Sequence, residues 1–164
     1  MVPGDDVPFL PLCGLYRTTR PVPGHEDEIP ASRLIYFHNH SAEGPPIVLL
    51  PARNTNNKWQ FHSRGCLVED AEYLATLESL RREGFYRLRE HFHPNNQQIV
   101  NRDALVQLGY NRYAEPILFF PTRNNQNNSL TFPLQGIKIG QEIYDLLEPL
   151  DVRGPHVPDP PTLH

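Results

Sequence analysis

Residues 46–57 read PIVLLPARNTNN, and residues 116–127 read PILFFPTRNNQN. At an offset of 70, six of the twelve positions are identical and three more exchange one large apolar residue for another. Each stretch holds a run of apolar residues between two prolines. A short, continuous apolar run is the pattern of a buried strand. Proline offers no ladder donor and so limits the strand at either end. The arginine and asparagines that follow suit a turn, because asparagine tolerates left-handed backbone.

The offset recurs on both sides of these stretches. Gly14-Leu15-Tyr16-Arg17 matches Gly84-Phe85-Tyr86-Arg87, and Leu77-Glu78-Ser79-Leu80 matches Leu147-Glu148-Pro149-Leu150. With small gaps, Asn39–Glu43 matches Asn111–Glu115 and Gly65 matches Gly136. Blocks kept in one order at one spacing are the signature of an internal repeat. The chain therefore reads as two tandem units, residues 14–82 and 83–152, between a Pro-rich N-terminal arm (1–13) and a Pro-rich C-terminal tail (153–164). Arg81-Arg82-Glu83 is the whole join. Units this small bury little surface alone, so they are expected to pack as one compact domain about a pseudo-twofold axis.

Within each unit the pattern predicts four strands and a closing helix. The strands are 15–20, Leu34–His38, 47–50 and 58–62 in the first unit, and Phe85–Phe92, Leu105–Leu108, 117–120 and 129–132 in the second. Asp70 can cap a helix over 71–80, whose Tyr73, Leu74, Leu77 and Leu80 follow helical spacing; Ile143, Tyr144, Leu147 and Leu150 repeat it. The fold class expected is mainly β (α+β), each unit a small barrel or curled sheet closed by a short helix. An opening Tyr strand, an acidic loop at 21–28, a Gly-containing connection and a short helical turn come in the order of Src-homology-three-like barrels, which the unit resembles. That resemblance implies an architecture and no function.

Composition narrows the function classes. The net charge of -4 leaves no basic excess to neutralise phosphates, which argues against a nucleic-acid partner. No apolar stretch approaches the roughly 18 residues a membrane helix needs. Asp5 and Asp6 interrupt the place where a signal peptide would become apolar. Two cysteines, Cys13 and Cys66, do not make a disulfide scaffold, and a cytoplasmic protein is expected. The 18 prolines demand short elements and many turns.

Histidine is the reactive residue in supply. His38/His40 and His91/His93 have H-x-H spacing, which on a strand places both rings on one face. Such pairs, with Glu43 behind the first, could hold a transition metal such as zinc. The polar residues shared by both units, Arg53/Arg123 and Glu43/Glu115, suit structural ion pairs or a pair of equivalent anion sites. No nucleophile elbow, dinucleotide fingerprint or phosphate loop is present. The reading is a non-enzymatic protein-binding or scaffold module without a cofactor. Its partner would be another protein or a second copy, met at the groove between repeats or at an open strand edge. The alternative is a metal-binding protein or metal-dependent enzyme built on the two histidine pairs.

Overall fold

A computed structural model describes residues 10–150. Most of the Pro-rich arm and the whole of the Pro-rich tail lie outside the described residues. In chain order the first half holds β1 (Gly14–Arg17), β2 (Leu34–His38), β3 (Ile47–Leu49), β4 (Pro51–Thr55), β5 (Lys58–Phe61), β6 (Cys66–Leu67), the one-turn helix α1 (Ala71–Leu74) and β7 (Glu78–Ser79). The second half holds β8 (Gly84–Leu88), β9 (Phe92–Asn95), β10 (Gln98–Val100), β11 (Leu105–Tyr110), β12 (Pro116–Phe119), β13 (Thr122–Asn124), β14 (Ser129–Thr131), β15 (Ile137–Lys138), α2 (Gln141–Tyr144) and β16 (Leu147–Pro149). Strands occupy 41% of the described residues and helices 6%, so the class is mainly β.

One five-stranded sheet runs β6-β3-β2-β1-β7 and the other β15-β12-β11-β8-β16, every pairing antiparallel. Three two-stranded ladders, β4-β5, β9-β10 and β13-β14, stand apart from them. Among the described residues no sheet closes into a barrel, which corrects that part of the expectation and removes the Src-homology-three-like closure. The edge strands are two or three residues long, too short to curl round and meet. The β4-β5 and β13-β14 ribbons leave the sheets instead of bridging their edges.

The closing helices are also shorter than the spacing suggests. Thr76 donates its hydroxyl to the Tyr73 carbonyl at 2.6 Å, taking up an acceptor at the end of α1. The Leu77–Leu80 segment then pairs with β1 as β7, and the Leu80 N–H donates to the Leu15 carbonyl at 3.1 Å. The second half repeats this with Leu150 N–H and the Phe85 carbonyl at 3.0 Å. An unpaired β1 edge would leave ladder groups exposed, and that demand overrides a modest helical pattern. The strand expected over Phe85–Phe92 is likewise two strands, β8 and β9, parted at Arg89–His91.

β2 stands between two cores. Leu34 and Tyr36 pack with Leu15 into the apolar cluster of the second half, which holds Tyr86, Leu88, Val106, Leu108 and Leu118. Ile35 and Phe37, on the other face, pack with Val22, Ile29, Val48, Tyr73 and Leu74. The two-residue alternation of a strand makes this division, and it fuses the halves through Leu15 and Leu34. Gly65 and Gly136 let each edge strand in close: a Cβ would stand 2.0 Å from the Val48 carbonyl oxygen in one half and 2.3 Å from that of Leu118 in the other.

The halves meet in one direction only. The β4-β5 hairpin of the first half lies on β11 of the second through Asn57, Trp59 and Arg112, and among the described residues none of the hydrogen bonds from β13-β14 returns to the first half. A pseudo-twofold axis would require the reciprocal contact.

Candidate functional site: an open groove on the first sheet

Asn56 and Asn57 form the β4-β5 turn, with φ of 53° and 66°. Left-handed backbone at two successive residues is the type I′ geometry that joins strands tightly, and asparagine tolerates it. This turn is pressed onto the second sheet. Asn57 Nδ2 donates to Gln107 Oε1 and to the Pro133 carbonyl, both at 2.9 Å, and Gln107 Nε2 donates back to the Asn56 carbonyl at 2.9 Å. Gly109 makes the approach possible, since a Cβ there would lie 2.9 Å from the Asn57 carbonyl oxygen. Trp59 completes the dock: its N–H donates to Glu83 Oε2 at 3.1 Å and its indole Nε1 to the Tyr110 carbonyl at 2.6 Å. Arg112 stacks over the Trp59 ring at 4.9 Å.

The same place on the first sheet is uncovered. Tyr36 faces Leu49 as Gln107 faces Phe119, and His38 faces Ile47 as Gly109 faces Ile117. A groove of about 1090 Å³ opens there, lined by Tyr36, His38, His40, Glu43, Leu49, Phe61, His62 and Leu67 among others. His38 holds in the first sheet the register position that Gly109 holds in the second, and it lines the groove. The Tyr36 and His38 rings lie 4.7 Å apart and inclined at 53°, those of Tyr36 and Phe61 5.5 Å apart at 54°, and those of His38 and His40 6.2 Å apart. The Ser41 hydroxyl, also lining the groove, is buried without a hydrogen-bond partner.

Of the residues singled out from the sequence, His38, His40 and Glu43 meet in this groove. His91 and His93 do not join them. Their rings are 5.8 Å apart beside and on β9, in the second half, with His93 Nδ1 3.3 Å from the Gln98 carbonyl. Among the described residues the two pairs form no cluster of metal-ligand size. Arg53 and Arg123 lie exposed on β4 and β13, and Arg123 donates to Asn128 Oδ1. Glu115 is paired with Lys138 at 2.8 Å and accepts from Asn111 at 2.6 Å, and these two partners hold its carboxyl below the usual range. The Arg–Glu pairs shared by both halves are others: Arg17 with Glu78 at 2.6 Å and Arg87 with Glu148 at 2.9 Å.

Sequence reasoning missed two further features. His62 follows β5 directly and lines the groove, a position that only the path of the hairpin decides. His25, Glu28 and Cys66 place one Nδ1 or Nε2, one carboxylate oxygen and one Sγ within 4.8 Å of one another. Burial, and then the neighbouring Glu28 carboxylate, push the Cys66 thiol up from its ordinary value. The H-x-x-E spacing of His25 and Glu28 was the only local sign of this cluster. Comparison with protein-family models, with curated proteins and with solved structures returns no match.

Proposed function

We propose that the chain is a non-enzymatic binding module made by tandem duplication, and that its groove receives the β13-β14 hairpin of a second copy. The observation that carries this reading is the dock inside the chain: the β4-β5 turn lies on the second sheet at the place matching the open groove of the first. A duplicated unit whose hairpin binds the next unit leaves one hairpin and one groove unsatisfied at its ends. Both are found. β13 and β14 are exposed along their whole length, and Leu130 and Leu134 near them are 51% and 79% exposed. The groove offers Tyr36, Leu49, Phe61 and Leu67 as apolar lining. His38 keeps a docked turn farther from the sheet than Gly109 does. The β13-β14 turn has four residues, Asn125–Asn128, where β4-β5 has two, and so reaches farther.

Such an interface joins unlike surfaces, and it propagates into a chain or closes into a ring. The test uses two single variants at exposed positions, Leu67→Asp in the groove and Leu130→Asp on the hairpin, with mass measured by light scattering over a concentration series. Wild type should grow beyond a dimer as concentration rises, and each variant alone should stay monomeric. Mixed in equal amounts, the variants should form a one-to-one dimer and nothing larger, since the mixture holds one intact groove and one intact hairpin. A wild type that stays monomeric up to millimolar concentration would defeat the self-docking reading.

A further inference from the structure

The His25, Glu28 and Cys66 cluster lies in the first half and shares no residue with the groove lining, although Cys66 stands between Gly65 and Leu67, which do line the groove. Its three donors come from two segments that the fold holds independently. His25 and Glu28 sit in a loop closed on itself: Val22 N–H donates to the Ile29 carbonyl at 2.9 Å, and His25 N–H to that of Val22 at 2.9 Å. Glu28 and Ile29 N–H groups both donate to the His25 carbonyl, at 3.1 and 2.9 Å. Val22 and Ile29 at the loop ends are fully buried. Cys66 is fixed separately, on β6, by pairing with Val48. Glu28 Oε2 lies 3.8 Å from His25 Nδ1 and 3.8 Å from Cys66 Sγ.

Zinc binds imidazole nitrogen and carboxylate oxygen near 2.1 Å and thiolate sulfur near 2.3 Å, so neighbouring donors round a tetrahedral ion stand roughly 3.3–3.6 Å apart. The donor atoms stand within 4.8 Å of one another, so the set needs closure of about 1.5 Å at most. Glu28 is largely exposed and His25 partly so, and both can make that movement, while the buried thiol serves as the fixed point. The exposed sides of His25 and Glu28 leave the fourth position to water. The second half lacks the set: the β9-β10 hairpin stands where the loop would be, and Ile137 takes the place of Cys66.

We infer that His25, Glu28 and Cys66 bind a thiophilic divalent transition metal such as zinc, which staples the Val22–Ile29 loop to the edge strand β6. A two-residue edge strand and a loop with little core of its own gain most from such a link, because metal bound to the folded state alone adds directly to stability.

Cobalt(II) is the probe, since a thiolate ligand gives it an intense charge-transfer band in the near ultraviolet. Titration of the full chain should give that band with one equivalent bound, and zinc should displace it. Cys66→Ser should abolish the band, and Cys13→Ser should leave it intact. His25→Ala should weaken cobalt binding while leaving the metal-free circular dichroism unchanged. Zinc should also raise the thermal midpoint of wild type and not that of Cys66→Ser. Absence of the band at stoichiometric cobalt, or a band lost with Cys13 and kept without Cys66, would overturn the assignment. These readouts are indifferent to self-association, so the metal site and the docking groove stand or fall separately.

Discussion

Asn57 Nδ2 donates to Gln107 Oε1 at 2.9 Å, a buried hydrogen bond between residues fifty positions apart that ties the turn of one half to the sheet of the other. Both side chains are nearly inaccessible. Each also holds a backbone carbonyl, of Pro133 and Asn56, so loss of either leaves buried groups without partners.

Asn57→Ala and Gln107→Ala should each destabilise the chain by about 2–3 kcal/mol, the range for an orphaned buried polar group, with Asn57→Ala also straining a left-handed position. The double variant should fall short of the sum by about 1 kcal/mol or more, because the residues are partners. Urea unfolding of the four proteins measures the coupling. Strict additivity would mean that the Asn57–Gln107 bond itself contributes nothing to cohesion between the halves.

Glu83 makes stability depend on pH. Burial pushes its carboxyl up to about 7, against the opposing effects of the Trp59 N–H and the nearby Lys58. A folded-state value above the unfolded one means the folded form binds the proton more tightly. This stabilisation is complete below about 4.5 and is lost as pH rises to about 7. Glu83→Gln, which still accepts from Trp59, should match wild type near pH 4.5 and exceed it by about 1–2 kcal/mol at pH 8, after allowing for solvent screening. Denaturant midpoints at the two pH values decide it; an equal difference at both would assign the effect to packing.

Gly65→Ala and Gly136→Ala should each cost about 3 kcal/mol or more, because the added methyl meets backbone oxygen that cannot turn aside. The damage should begin locally. Hydrogen exchange ought to quicken in β6 and its partner β3 for the first variant, and in β15 and β12 for the second. Unchanged exchange at those strands would show that the close approach is relieved cheaply.

The Arg17–Glu78 and Arg87–Glu148 pairs are exposed, and each should matter little to stability. Glu78→Gln and Glu148→Gln should each lower the thermal midpoint only slightly, and the loss should shrink at 1 M salt. Thermal melts at low and high salt measure this. A large drop in midpoint that persists in salt would show that these bidentate contacts act through geometry rather than charge.

Much of the local structure was legible in the residues themselves. The apolar run at Ile47–Leu49 reads as a strand because its neighbours in sequence suffice to mark it. The Asn56-Asn57 turn is legible because two left-handed residues need a side chain that tolerates them. Leu34–His38 announces a buried strand by its content, and it sits at the centre of the first sheet. The recurrence of Arg17 with Glu78, and of Arg87 with Glu148, was visible as separate blocks, yet nothing local says that those blocks meet across 61 residues. The helix expected over 71–80 failed for a related reason, since the β1 edge claimed Glu78 and Ser79. Tertiary structure alone decided that Gly109 admits a turn where His38 stands beside an open groove. It also decided that His25, Glu28 and Cys66 come within reach of one ion. Periodicity reports which face of an element is apolar. Which elements then meet depends on closing loops tens of residues long, whose cost varies only slowly with length and leaves no mark in the sequence.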